Sequence, residues 1–215
     1  MQKDLLIDIH THLPAPKPGA IISCGPDAMP VSDTFPGQMY AVGIHPWDIS
    51  PSGVDEELKQ RLYLMAERED VAAIGECGID MSHPGAAPLY EQLLTFKTHI
   101  ELSERVGKPL IIHCVKAWDS VIALRKEYAP SQRWLIHGFR GKPQVLEMLF
   151  KAGIDISYGE KFNPESVAAT PADRLFAETD ESELSINDII ATLGAVNPEA
   201  TTTRIAQNVR GLLAR

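Results

Sequence analysis

"LLIDIHTHLP", residues 5–14, reads as an apolar strand that ends in two histidines. Successive side chains of a strand point to opposite faces, so Asp8, His10 and His12 share one face while Ile7 and Ile9 share the other. A segment apolar enough to demand burial thus carries a polar face, and the fold has to explain it. Seven further runs of similar length follow: "AIISCG" (20–25), "YAVGIH" (40–45), "VAAIGE" (71–76), "PLIIHC" (109–114), "RWLIHG" (133–138), "IDISYG" (154–159) and "LFAETD" (175–180).

Between most of the later runs lie segments of helical period. Leu58, Leu62 and Met65 mark one; Leu89, Leu93, Phe96 and Ile100 mark the next, with Pro88 suited to its start and Gly107 to its end. Similar stretches cover 117–127, 142–152 and 199–213. Near-continuous apolar strands alternating with helices pair in parallel with both faces covered, and eight of them close into a ring. The predicted fold is therefore an α/β TIM (β/α)8 barrel, one domain over residues 1–215. Residues 13–39 are rich in proline and glycine and leave no room for full helices after the first two strands, so the barrel is thinly covered there. That gap reads as a loop folded over the barrel or, in a sharper reading, as a contact between copies of the chain in a homo-oligomer.

The 215 residues are 44% apolar and 23% charged, an ordinary globular composition. A net charge of −9 disfavours gripping a nucleic-acid backbone by broad electrostatics, but it leaves room for a small anionic substrate held by a metal. The longest apolar runs are strand-sized and no basic region precedes a signal-like core, so a cytoplasmic setting without membrane contact is expected. Three cysteines, Cys24, Cys77 and Cys114, lack metal-finger spacing and argue against a disulfide framework.

The polar residues sit at strand ends. His45 ends the third run, Glu76 the fourth, His113 follows three apolar residues in the fifth, His137 in the sixth, and Asp180 ends the eighth. In a barrel those ends converge on one mouth. Four imidazoles (His10, His12, His113, His137) and two carboxylates (Glu76, Asp180) gathered in a small cavity are costly unless a divalent metal offsets their desolvation. Six ligands exceed one tetrahedral ion with an open position, but they suit two ions bridged by a carboxylate and a water. Imidazole-rich sites favour Zn, Mn, Co, Ni or Fe over Mg.

The remaining candidates take plainer readings. His83 is expected in a loop and His99 on a helix, both facing solvent. Cys77 and Cys114 each follow a proposed ligand, so period two turns them outward as small core residues under the helices. Trp47, Trp118 and Trp134 have the chemistry to stack on a base, but core packing is the favoured reading. "DEELKQRLYLMAERED" (55–70) reads as a solvated helix face.

"DIHTH", "GIHP", "GECGID", "PLIIH", "IHGF" and "ETD", in this order at successive strand ends, resemble the TatD family of metal-dependent deoxyribonucleases within the amidohydrolase-type barrels. The resemblance runs from about residue 5 to 180 and implies the same fold. It further implies that His10, His12 and Asp180 hold one metal and His113 and His137 the other, with Glu76 bridging. Asp180 and Glu76 are then the catalytic carboxylates, Asp180 accepting the proton of a water shared by the ions. Asp8 is implied to orient a histidine, His45 to contact substrate at the mouth, and Asn208 to match an asparagine of the family's last helix.

The departures from the family pattern bear on substrate. Where the family shows His-x-Arg after the fifth strand, this chain has "HCVK", so the cation moves to Lys116. Arg140 stands where the family tends to have serine and offers a phosphate contact. "ESEL" replaces the family's Ala-Pro-Tyr-Leu after "ETD", and a long arginine- and asparagine-bearing loop is missing. Three readings follow: a two-metal phosphodiesterase or deoxyribonuclease on single-stranded DNA, a hydrolase of a small phosphoester, amide or ester on the same centre, and a non-catalytic metal-binding barrel. A PHP-type barrel, which also opens on Asp-x-His-x-His, is disfavoured because "ETDES" lacks the expected Asp-x-His strand.

Overall fold

The computed structural model describes residues 5–30 and 35–214, and in it the apolar runs form seven strands. They are β1 (Asp8–Thr11), β2 (Ala20–Cys24), β3 (Met39–Val42), β4 (Val71–Asp80), β5 (Leu110–Val115), β6 (Trp134–Ile136) and β7 (Ile154–Ile156). Each pairs with the next in parallel, in chain order, as a curled α/β sheet.

The eighth run forms isolated bridges instead of a regular strand. On one side Tyr158 N–H donates to the Phe176 carbonyl and Glu178 N–H to that of Tyr158; on the other Ile9 N–H donates to Ala177 and Asp180 N–H to His10. Residues 175–180 thus bond to the chain just past β7 and to β1, which completes the ring. The backbone of Asp180 is left-handed, φ 52°, and extended pairing ends there.

The helices are α1 (Glu56–Ala66), α2 (Leu89–Val106), α3 (Trp118–Tyr128), α4 (Pro143–Lys151), α5 (Pro164–Ala169), α6 (Ile186–Val196) and α7 (Thr202–Leu213). Local chemistry sets their ends. Asp55 caps α1 by accepting the Leu58 N–H at 2.7 Å, and Gly107 closes α2 with φ 65°. Helices α5 and α6 have no counterpart among the predicted ones. Among the described residues no helix lies between β1 and β2 or between β2 and β3, as the prolines and glycines of 13–39 predict; residues 31–34 of that segment lie outside the described residues.

The core joins the strand residues Ile9, Ile21, Val42, Ile74 and Ile112 to the inner faces of the helices. Trp134 is fully buried and meets Phe96 of α2 edge to face at 5.6 Å, while Trp118 packs partly buried against the same core. Cys77 and Cys114 are buried as predicted. No helix of the described residues is long and apolar enough to cross a membrane.

His99 corrects its sequence reading. It is 0% exposed on the inner face of α2. Its Nε2 accepts the backbone N–H of Ile44 at 2.9 Å and its Nδ1 faces the Thr95 carbonyl at 2.7 Å, so both ring nitrogens are satisfied by a neutral imidazole. Burial pulls its pKa down to about 4.

β4 carries the centre of the site and lies tight against β5. Gly75 and Gly78 have φ of 146° and 140°, and a Cβ on either would collide with the carbonyl oxygen of Ile111 or His113. The "GECG" glycines therefore let the two strands approach while Glu76 between them faces the mouth.

Candidate metal centre

Glu76, 4% exposed, is the hub. Its Oε1 lies 2.7 Å from His137 Nε2, 2.8 Å from His113 Nδ1 and 3.1 Å from His45 Nε2. Its Oε2 lies 3.0 Å from His12 Nε2 and 3.3 Å from His10 Nε2. Asp180 Oδ1 stands 3.8 Å from the Nε2 atoms of both His10 and His12. One carboxylate thus divides the imidazoles into two sets, one per oxygen. Donor atoms of His10, His12 and Asp180 lie within 4.8 Å of one another, as do those of His10, Glu76 and His137 and those of His45, Glu76 and His113.

The hydrogen bonds behind the imidazoles separate their roles. His113 Nε2 faces Asp80 Oδ2 at 3.1 Å, so in the neutral ring that nitrogen carries the hydrogen and Nδ1 aims a lone pair at Glu76. A lone pair 2.8 Å from a carboxylate oxygen requires a proton or a cation. His45 is the reverse: its Nδ1 accepts the backbone N–H of Trp47 at 3.2 Å, leaving the hydrogen on Nε2, which faces Glu76 Oε1 at 3.1 Å. His10 Nδ1 and Nε2, His137 Nδ1 and Glu178 Oε1 are buried and lack a hydrogen-bond partner among the described residues. Such unsatisfied nitrogens beside carboxylates fit a divalent metal in chemistry and number.

The electrostatics agree. Burial works to raise the Glu76 carboxyl, but the His137, His10 and His113 imidazoles crowded against it outweigh burial and hold it well below the usual range. Burial works to lower His137, yet Glu76 and Glu178 raise it well above the ordinary imidazole value. The bond to Glu76 raises His12 against its desolvation. Buried anions here call for compensating positive charge.

Two adjoining cavities open at this mouth. The larger, about 290 Å³, is lined by His12, His45, Trp47, Glu76, His113 and His137. The smaller, about 230 Å³, is lined by Arg140, Lys161, Glu178 and Thr179, and Asp180 and Glu181 border both. Arg140 is thus brought to the mouth. Lys116, exposed with a left-handed backbone of φ 55°, lines neither cavity.

Asp8 corrects its implied role: it is buried and accepts from the Thr179 N–H at 3.0 Å and hydroxyl at 2.7 Å, rather than orienting an imidazole. Burial pushes its carboxyl up to about 6. Asn208 donates from Nδ2 to the carbonyls of Ala172 and Leu175, 2.8 Å each, as a structural clamp on the segment before Phe176. Trp47 corrects the core reading, being 48% exposed at the larger cavity.

Two residues of the site escaped the sequence reading: Asp80 holds His113 and Glu178 faces His137 Nδ1 at 3.4 Å. The signal for both is period two: Glu76, Gly78 and Asp80 alternate on one face, as do Glu178 and Asp180.

The family of TatD-related DNases matches residues 26–212. The chain belongs to that family. Among curated TatD relatives, the 3'-5' ssDNA/RNA exonuclease TatD of Erwinia billingiae is 31% identical over 166 residues, covering 72% of this chain and 62% of its own length. An uncharacterized metal-dependent hydrolase of Buchnera aphidicola is 32% identical over 155 residues, 68% of this chain and 57% of that protein. The chain therefore spans about 60% of the length of these relatives. Of solved structures, the TatD homologue YJJV of Escherichia coli K12 superposes with TM-score 0.79 at 20% identity over 99% of both chains. A TatD-family hydrolase of Entamoeba histolytica gives 0.67 at 19%, over 81% of this chain and 74% of its own. Both show the TatD barrel fold.

Proposed function

We propose that this TatD-family protein is a metal-dependent phosphodiesterase that removes nucleotides from single-stranded DNA ends. The observation that carries the reading is the division of the imidazoles between the two oxygens of Glu76, the arrangement a bridging carboxylate makes between two cations. The exonuclease name of the Erwinia relative supports the substrate class.

His10, His12 and Asp180 are the proposed ligands of one ion and His113 and His137 of the other, drawn from Zn, Mn, Co, Ni or Fe in preference to Mg. Bound there, two such ions would supply a water of lowered pKa and positive charge for the phosphoryl oxygens. Asp180, bordering both cavities, takes the proton. His45 Nε2–H, with its other nitrogen fixed by Trp47, is a donor toward substrate oxygen. Asp80 holds His113 in the tautomer that frees Nδ1. Arg140 binds a neighbouring phosphate, and Lys116 has the weaker claim because it lines neither cavity. The same reading takes residues 1–215 as one barrel domain, sets it in the cytoplasm, and offers the flank by β1 and β2, where the described residues hold no helix, for self-association.

A second reading, a small phosphoester as substrate, is favoured by the short "ESEL" link between Asp180 and α6 and by the net charge of −9. Assay of the purified, metal-reconstituted protein on single-stranded DNA and on bis(p-nitrophenyl) phosphate separates the two. His10→Ala and Asp180→Asn are each expected to lower the rate at least about 100-fold. DNA cleavage persisting in both variants contradicts the reading.

A further inference from the structure

Trp47 combines three features that packing does not explain. It follows the "GIHP" turn and its ring is 48% exposed at the rim of the larger cavity, beside His45 and His113. The ring is nevertheless fixed: Nε1–H donates to Asp80 Oδ2 at 2.8 Å, the oxygen that also faces His113 Nε2. It stacks on His83, with centroids 4.3 Å apart and planes 23° from parallel. Asp80 in turn accepts the N–H groups of Ser82 and His83 on its other oxygen, so one carboxylate ties both stacked residues and His113 together. An indole held in one orientation at a cavity rim, with its polar atom already satisfied, offers its apolar ring to a ligand.

We infer that Trp47 and His83 form a stacking platform for the nucleobase of the terminal nucleotide, registering its phosphate against Glu76. This deepens the phosphodiesterase reading and rests on it. The charge of the chain is compatible with this occupant. At −9 the protein is ill suited to track a phosphate backbone, whereas stacking on an aromatic face is independent of net charge and tolerant of sequence. Because the indole shares Asp80 with His113, a base seated on it lies at a fixed offset from the proposed metals.

The test compares kcat/KM for a short oligothymidylate with that for the same strand ending in an abasic 3′ nucleotide. Stacking on one aromatic is expected to give the wild type a preference of roughly 5- to 150-fold for the base-bearing end. Trp47→Leu should reduce that preference to within about 2-fold, and Trp47→Phe should retain most of it. A preference is a ratio, so any shared disturbance of His113 through Asp80 cancels. Binding is read separately by intrinsic fluorescence: oligothymidylate should quench wild-type emission and fail to quench Trp47→Phe. An undiminished preference in Trp47→Leu, or undiminished quenching in Trp47→Phe, overturns the inference. If the wild type cuts both strands equally well, the platform fails while the phosphodiesterase reading stands; if it cuts neither, the phosphodiesterase reading fails and the platform with it.

Discussion

Asp80 Oδ2 lies 3.1 Å from His113 Nε2, at the far side of the ring from Glu76. Backbone N–H groups of Ser82 and His83, the Trp47 indole and His113 itself hold this carboxyl down to about 2 against its burial, so it is ionised wherever the protein functions. Asp80→Ala releases the ring and lets Nε2 compete with Nδ1 as the ligating atom. Metal affinity, read by chelator competition, is expected to fall about 10- to 100-fold. Unchanged affinity would detach Asp80 from the site.

Gly78→Ala puts a Cβ at φ 140° against the His113 carbonyl oxygen. The strain and the displacement of β5 should cost about 2 kcal/mol or more in urea unfolding and should also weaken metal binding, because the displaced backbone is that of a proposed ligand. A variant as stable as the wild type would show that the β4–β5 approach is not required.

His99 supplies a pH dependence remote from the mouth. Its folded pKa of about 4 lies below the unfolded 6.5, so the unfolded chain binds the proton more tightly. The contribution is fully present above pH 6.5 and is lost as pH falls toward 4, to a total of about 3 kcal/mol. The stability gap between wild type and His99→Gln should therefore narrow by that order between pH 7 and 4. A gap independent of pH would mean the imidazole is not held neutral.

Asn208→Ala leaves the buried Leu175 carbonyl and the part-buried Ala172 carbonyl without their donor. A loss of about 1–3 kcal/mol in thermal or urea unfolding is expected, from desolvated acceptors rather than from chemistry. The rate of the folded enzyme on bis(p-nitrophenyl) phosphate tests this; a large fall in kcat without loss of stability would make Asn208 part of the site.

Period two made the mouth legible. Apolar runs closing on His10, Glu76, His113, His137 and Asp180 read as strand ends, and their convergence on one mouth follows from barrel geometry, whereas the central place of Glu76 is implied only by the family resemblance. His99 was misread because a helical histidine looks exposed until its neighbours are counted; it follows Phe96 by three and precedes Ser103 by four, on the buried stripe. Trp47 was misread in the opposite sense, since nothing local distinguishes a tryptophan held at a rim by Asp80, 33 residues away, from one in the core. Asp8 shares a face with His10 but meets Thr179, a long-range pairing set by where residues 175–180 cross β1. The eighth strand was legible as a run and not as isolated bridges, because backbone angle at Asp180 has no signature in its apolar neighbours.

Metal stoichiometry tests the role of Glu76 most directly. Protein stripped with chelator, reconstituted with Zn or Mn and freed of excess should carry two ions per chain, and Glu76→Ala should carry at most one, with phosphodiesterase activity lost. A wild type that takes up no metal, or a Glu76→Ala protein that still holds two ions with unaltered affinity, would contradict a carboxylate bridge at the centre of the barrel mouth.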